Sequence, residues 1–468
     1  MTVLIAGAGP TGLTTAIELQ RRGVPHRIVE ASPHPFEGSR GKGLQPRTLE
    51  VFDDLGVLGR FLDAGALYPP LRIHRPGGEL VDWRMDEVHE PTPAVPYPNG
   101  WMVPQWRTGE LLAEHLTTLG GRIEYGTAVT GLRGTTAELS TGETVEASYV
   151  VGADGGRSTI RRLLGVGFAG ETYDTHTMFI ADVRLTGLPR DAWHVWPGPD
   201  GRTQQLALCP LPGTDVWQLF APLATSEAEM RAVVAREAPE VTLTHVGWTS
   251  QFRANIRMVD RYRVGNVFLA GDAAHVHSPA GGQGLNTGIQ DAYNLGWKLA
   301  TGNDALLDTY EAERLPIAAH VLGISTKLHH RQFAPPEEAM RRDDPVLRQL
   351  GLGYRGGPLA AEHRTNPGEL RAGDRAPDAP IHEGAPVRIF DALRGPHWTL
   401  LCFDIPAPAL PGDVHVVDIG RTSVHAYASY DVTAPTLVLV RPDNYIGCVT
   451  HDPADVTAYL KDVGLPTP

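Results

Sequence analysis

Cysteine is scarce in this chain: there are three in 468 residues, Cys209, Cys402 and Cys448. None belongs to a CxxC pair or to a spacing that would hold a metal, so neither a disulfide framework nor a metal site is expected. That usage fits a reducing compartment, and the cytoplasm is the expected location. No apolar run is long enough to span a bilayer, so no membrane partner is expected. The first residues lack a basic n-region, and Gly7, Gly9 and Gly12 break their apolar run, so a signal peptide is not expected. Positive charge is in deficit. The net charge is −13 and no basic stretch forms a nucleic-acid footprint, which excludes that partner class. Tandem repeats and low-complexity tracts are also missing. What remains is an ordinary globular composition, 42% hydrophobic, in a length that suggests roughly two to four domains.

Glycine is plentiful, and its placement is informative. Val3-Leu4-Ile5-Ala6 reads as a buried parallel strand. Gly7-Ala8-Gly9-Pro10-Thr11-Gly12 follows, then a helical pattern through Leu13, Ala16, Ile17 and Leu19. Gly23 ends it, and His26–Val29 reads as a second strand closed by Glu30. This is GxGxxG in its full strand–turn–helix–strand–acid context, which predicts dinucleotide binding. Gly7 permits the tight turn, Gly9 lets backbone approach a pyrophosphate, and Gly12 allows close helix–strand packing. Glu30 can accept hydrogen bonds from an adenosine ribose. A second GxGxxG is lacking, so one resident dinucleotide is expected, with any nicotinamide a visitor to an open groove.

A second glycine-rich unit spans 269–299. Val267–Ala270 reads as a strand turning at Gly271, with Asp272 at its end. The loop Ser278–Gly284 follows, then a helix with apolar residues at Leu285, Ile289, Ala292, Leu295 and Leu299. A strand-end carboxylate can hold a polyol. The loop lets N–H groups approach a flat ligand, and the helix N-terminus favours negative charge there. Between these units, Gly38–Glu50 places Arg40, Lys42 and Arg47 in or beside a Gly-rich loop, suited to a diphosphate or second anion. An amphipathic helix is expected over Leu49–Phe61, and another over Glu110–Leu119. Tyr149–Gly152 reads as a buried strand before Asp154 and a helix capped by Ser158.

From Phe168 to Phe252 alternating stretches predict antiparallel strands, with Trp193, Trp196, Trp217 and Trp248 supplying flat apolar surface over a ligand cavity. A mostly helical stretch is expected at 306–333 and a charged, Pro- and Gly-rich helical linker at 332–367. From Gly373 the chain returns to α/β character. Strands are expected at Trp398–Phe403, His415–Asp418 and Thr436–Val440, and a helix at Ala454–Val463.

GAGPTG with Glu30, ADGGRSTIR and LAGDAAHVHSPAGGQGLN together resemble the three fingerprints of class A flavoprotein monooxygenases, the para-hydroxybenzoate hydroxylase-like family. SRGKGLQPRTLE and the tail from Gly373 resemble the aromatic polyketide hydroxylase and rifampicin monooxygenase subgroup. Relatives usually carry Glu at the position of Gly109, which puts the start of that helix in question. The resemblance implies an α/β fold: a discontinuous Rossmann-like FAD-binding domain (1–70, 104–165, 255–333) and an inserted, mainly antiparallel substrate sheet (71–103, 166–254). A helical linker (334–372) and a thioredoxin-like C-terminal domain without redox role (373–468) complete it. It implies non-covalent FAD. Gly7, Gly9, Pro10, Thr11 and Gly12 would cradle the pyrophosphate, with Glu30 and Ala31 at the adenosine ribose and Val129 beside the adenine. Arg40, Gln105 and Asp272 would contact the ribityl–diphosphate. Pro279, Gly282, Gly284, Leu285 and Asn286 would line the flavin ring, while Asp154 and Arg161 take a mainly structural part.

The implied activity is an FAD-dependent, NAD(P)H-consuming hydroxylation of a polycyclic phenolic or quinone-type natural product through a C4a-hydroperoxyflavin, in antibiotic biosynthesis or modification. No acid–base residue stands out; Lys42, Pro279 and His275 are the candidates nearest the chemistry, and His275 and His277 fit hydrogen bonding better than proton transfer. A halogenase would need a WxWxIP-like segment, which is absent. An oxidase or dehydrogenase without oxygenation, a Baeyer–Villiger outcome and a homodimer stay open.

Overall fold

A computed structural model describes residues 1–201, 204–278, 281–331, 334–382, 384 and 387–465, with backbone only at 172–177, 252–254 and 329–330. Its first sheet has six strands. Val3–Ala6 lies between Tyr149–Gly152 and His26–Glu30, parallel to both, and all four of its residues are buried. Ile123–Tyr125 extends the sheet beyond His26–Glu30, and Val267–Leu269 beyond Tyr149–Gly152. The helices Pro10–Gln20 and Gly284–Thr301 pack against each other, with their apolar stripes in the same core as the strands. That burial holds the strand ends, and the loops that follow them, on one side of the sheet.

The second sheet has eight strands and rises from the middle of the chain. Its long pair, Phe168–Thr186 and Thr242–Val259, is antiparallel, and Trp193–Pro197 pairs in parallel with Leu71–His74. His275–Val276 joins its edge, so the turn after Val267–Leu269 passes from one sheet to the other. A third, five-stranded mixed sheet carries the thioredoxin-like tail, with Trp398–Phe403 between Thr436–Val440 and Val414–Ile419.

Three local expectations need correction. The stretch 49–61 is two helices, Pro46–Asp54 and Leu58–Ala64, because Gly56 takes φ +75° and breaks the first. The helix expected from Glu110 begins at Gln105 and runs through Gly109, so the missing Glu does not displace its start. The helical linker holds only one short α-helix, Pro336–Ala339, and a 3₁₀ turn at Pro345–Arg348 among its described residues, and its Ala361–Glu362 pairs with Ile446–Thr450 in the third sheet. Proline and glycine keep that stretch extended, so it packs as irregular chain.

Candidate functional site

The three fingerprints meet at one place. Gly7 has φ +104°, and a Cβ there would collide with the backbone of Ala153. A Cβ at Gly12 would collide with Gly7 O, so Gly12 serves helix–strand packing and does not line the cleft. Thr11 occupies the space that Cβ atoms on Gly271 and Gly288 would need. Asp154 accepts from Thr159 N at 2.6 Å, Ile160 N at 3.1 Å and Ser158 Oγ, while Ser158 Oγ accepts from Arg161 N at 3.0 Å. Arg161 then donates to Ala273 O at 2.9 Å. On the other flank of that turn, Asp291 accepts from Gly271 N at 3.0 Å. Asp272 is therefore presented by a turn pinned on both sides, and its carboxylate faces the cleft.

His275 belongs to the same brace. It is fully buried, with Nε2 at 2.6 Å from Asp291 Oδ2 and Nδ1 at 2.9 Å from His277 Nε2, and Arg314 Nε donates to Asp291 at 2.7 Å. Burial would raise the Asp291 pKa, but His275 and Arg314 outweigh it and hold the carboxyl below the usual range. An ionised Asp291 accepts a hydrogen bond from His275 Nε2–H, and the other ring nitrogen of His275 meets His277. His275 is a structural residue in this arrangement. Burial and His275 keep the pKa of His277 low. His277, not His275, reaches the cleft wall.

The cleft is continuous. A cavity of about 1000 Å³ is lined by Gly7, Glu30, Ala31 and Val129. It shares Gly9, Pro10, Gln105 and Asp154 with a second cavity of about 1310 Å³, whose walls include Thr11, Arg40, Lys42, Asp272, Gly282, Gly284 and Leu285. Lys42 and Gly282 also border a chamber of about 220 Å³ with Tyr68, Trp193 and Arg342. Asn286 is the exception among the expected lining residues. Its amide donates to Gly43 O at 2.9 Å and Gly282 O at 2.8 Å and accepts from Gln45 N at 2.8 Å, latching the 43–45 segment to the helix start. Pro279 lies outside the described residues.

The SRGKG loop is held between the start of the Gln105–Thr118 helix and the second sheet. Gln105 Oε1 accepts from Gly41 N at 2.9 Å, and Gln218 donates to Ser39 O and accepts from Lys42 Nζ. Arg40 is exposed and reaches Ser250 Oγ at 3.3 Å. Lys42 sits 4.0 Å over the Trp193 ring. Trp193 stood out in the sequence as one of several sheet aromatics. Gln218 and Arg342 carried no signal there.

These residues fit a flavin dinucleotide. Added Cβ atoms at Gly9 and Gly282 would meet no protein atom within 4 Å, so both face open cleft where backbone can approach a phosphate and a flat ring. Glu30 accepts from Ala8 N at 2.8 Å and Ser32 N at 2.9 Å, which holds its carboxylate in place with lone pairs to spare.

The comparisons with known proteins agree. The FAD binding domain family matches residues 1–325. A flavin-dependent monooxygenase of Mycobacteroides abscessus is 49% identical over 99% of this chain and 100% of its own. A rifampicin monooxygenase of Streptomyces venezuelae is 39% identical over 73% of this chain and 74% of its own. The solved aklavinone-11 hydroxylase, in a ternary complex with FAD and aklavinone, aligns with TM-score 0.82 at 26% identity, covering 99% of this chain and 98% of that one. The chain belongs to the FAD binding domain family. Within it, the protein is a monooxygenase whose cofactor is FAD.

Proposed function

We propose that the protein hydroxylates a polycyclic phenolic or quinone-type natural product at the expense of NAD(P)H. The observation that carries this reading is the joined cleft: the dinucleotide half runs past Asp272 and the Gly282–Leu285 wall into the chamber beneath the sheet. The named activities of the rifampicin monooxygenase and aklavinone hydroxylase relatives support that substrate class.

FAD, when bound and reduced by a nicotinamide, activates dioxygen and delivers one oxygen atom to an electron-rich ring. The chain's own residues do the rest. Gly9 and Thr11 would offer backbone N–H groups to the pyrophosphate, with Gly7 making the turn and Pro10 opening the helix beside it, and Glu30 and Ala31 would meet the adenosine ribose beside Val129. Arg40, Gln105 and Asp272, which line the same cavity, would hold the ribityl–diphosphate. The helix that begins at Gly284 has its N-terminal end at the cavity wall, where it would favour negative charge on a bound ring by on the order of 1 kcal/mol. Trp193 and Tyr68 wall the chamber that would take the substrate. Asp154 and Arg161 position the Asp272 turn.

A panel of phenolic and quinone natural products, screened for stimulated NADPH and NADH oxidation with mass detection of an added oxygen, tests this reading. Hydroxylated product supports it. Nicotinamide oxidation without any oxygenated product across the panel would return the protein to an oxidase or dehydrogenase, and a ring-expanded ester or lactone would make it a Baeyer–Villiger enzyme.

A further inference from the structure

We propose that Gln349, from the linker, is a positioning residue for the flavin ring: it holds the Gly281–Gln283 loop and the start of the Gly284–Thr301 helix where their N–H groups favour the reduced, negatively charged cofactor. The inference rests on the placement of FAD proposed above and adds a residue that lines none of the three cavities.

Gln349 is set apart first by its backbone. It closes the 3₁₀ turn Pro345–Arg348 in the left-handed region, at φ +61° and ψ +10°. Among the described residues, the other non-glycine residues with positive φ are Asp404, Asp431 and Asn444, types that enter this region several-fold more readily. Glutamine has no such local reason, so its surroundings must hold it there, and backbone held in this way gathers at functional sites.

The side chain shows what holds it. It is buried, and its amide is spent on the segment that faces the cleft. Its Nε2 donates to Gln283 Oε1 at 2.7 Å and to Thr287 Oγ1 at 3.4 Å, and its Oε1 accepts from Gln290 Nε2 at 2.6 Å. Gln283 passes the constraint to the loop, since its Nε2 donates to Gly281 O at 2.9 Å and to Leu347 O at 3.2 Å. Thr287 passes it to the helix, donating from N and from Oγ1 to Gln283 O at 2.9 Å each. Of these four side chains only Gln290 keeps an unpartnered atom, its Oε1. A buried amide network paired to this degree specifies one arrangement, because a displaced amide is left unpaired out of water.

That arrangement decides what the cleft wall offers. Gly282 borders both the large cavity and the chamber, and Gln283 borders the large cavity. Gln283 is also the N-cap of the helix, yet its side chain caps no N–H, because Gln349 and Leu347 engage it. Among the described residues no acceptor meets the N–H of Gly284, Leu285 or Asn286. These are the donors that a helix start presents to an anion. They interact more with a negatively charged ring than with an uncharged oxidised one. Displacing the loop therefore changes the two redox states unequally, whereas a general loss of stability weakens the binding of both alike.

The test uses the full FAD-loaded chain. Gln349→Gly removes the amide and keeps the turn, because glycine enters positive φ freely; Gln349→Leu removes the amide and keeps the bulk. Each is equilibrated without oxygen against a dye of known potential, and affinity for oxidised FAD and thermal midpoint are measured beside it. Each variant should lose about tenfold of the preference for reduced over oxidised FAD, a fall in potential of about 30 mV for this two-electron couple. Gln349→Asn, which suits the same backbone and carries the amide one methylene short, should lie between these variants and the parent. An unchanged potential, whatever happens to the midpoint or to FAD affinity, makes Gln349 a residue of the fold alone and overturns the proposal, as does failure of all three variants to fold. A shifted potential in a protein that hydroxylates nothing keeps this inference and contradicts the proposed function; an unshifted potential beside hydroxylated product does the reverse.

Discussion

Arg441 and Glu313 meet at 2.6 Å with both side chains fully buried, joining the C-terminal sheet to the Asp304–His330 helix. Arg441 also binds Asp443, while Arg47, just past the SRGKG loop, donates to Asp443 O at 3.0 Å. The thioredoxin-like tail is thus tied by buried charge to the segment that leads from the loop facing the cleft. Removing one partner strands the other, so Arg441→Met should destabilise the whole chain by ~3–5 kcal/mol. Burial alone would raise the Glu313 pKa, but Arg441 and Lys298 lower it well below the usual carboxylate range. Its stabilising contribution is therefore full above its unfolded pKa of about 4.3 and is lost as pH falls toward the folded value. Urea unfolding at a series of pH values should show the parent losing stability on acidification faster than Glu313→Gln; parallel profiles would remove Glu313 from the account.

Asp272→Ala should weaken FAD retention. The carboxylate stands at the cleft with its turn fixed by Asp291 and Arg161, so the variant removes the contact without removing the turn. Loss of a charged hydrogen-bonding partner costs roughly 1.5–3 kcal/mol. Flavin content after extensive dialysis measures it, and equal occupancy in mutant and parent would take Asp272 out of the binding site.

Asn286→Ala tests the latch between the helix start and residues 43–45. Three hydrogen bonds vanish and two loop groups, Gly43 O and Gln45 N, lose their partner. Stability should fall by about 1–3 kcal/mol, with raised protease sensitivity near the SRGKG loop. A variant with unchanged thermal midpoint and cleavage pattern would show that other contacts hold the loop.

Gly12→Ala should abolish FAD binding by displacing the first helix, because its Cβ has no room beside Gly7 O. Gly23→Ala, whose Cβ would meet nothing within 4 Å although its φ is +67°, is the control and should cost only about 1 kcal/mol. Near-UV circular dichroism and flavin content read both; a Gly12→Ala protein that keeps its flavin would mean that the helix can slide.

Much of this was legible in the sequence because it is local. Val3–Ala6, the glycines after it and Glu30 lie within one short unit, and burial on both faces leaves a continuous apolar run as its trace. Trp398–Phe403 and Thr436–Val440 match their expected bounds for the same reason. What could not be read are pairings across long separations. Nothing near Lys42 announces Gln218, and nothing near Arg47 announces Asp443. Asn286 shows the opposite difficulty: its place in a fingerprint suggested a ligand contact, while its amide is spent on the loop. Gly56 was visible in the sequence, but the apolar period on both sides of it masked the break.

The most direct test of the central claim is the source of the oxygen. The FAD-loaded protein is supplied with NADPH, a phenolic or quinone substrate from the panel and isotopically heavy dioxygen, and the product is weighed. The account predicts one heavy oxygen atom in each hydroxylated product, with one NADPH consumed per product formed. Heavy oxygen recovered only as hydrogen peroxide, or product oxygen taken from water, would contradict it.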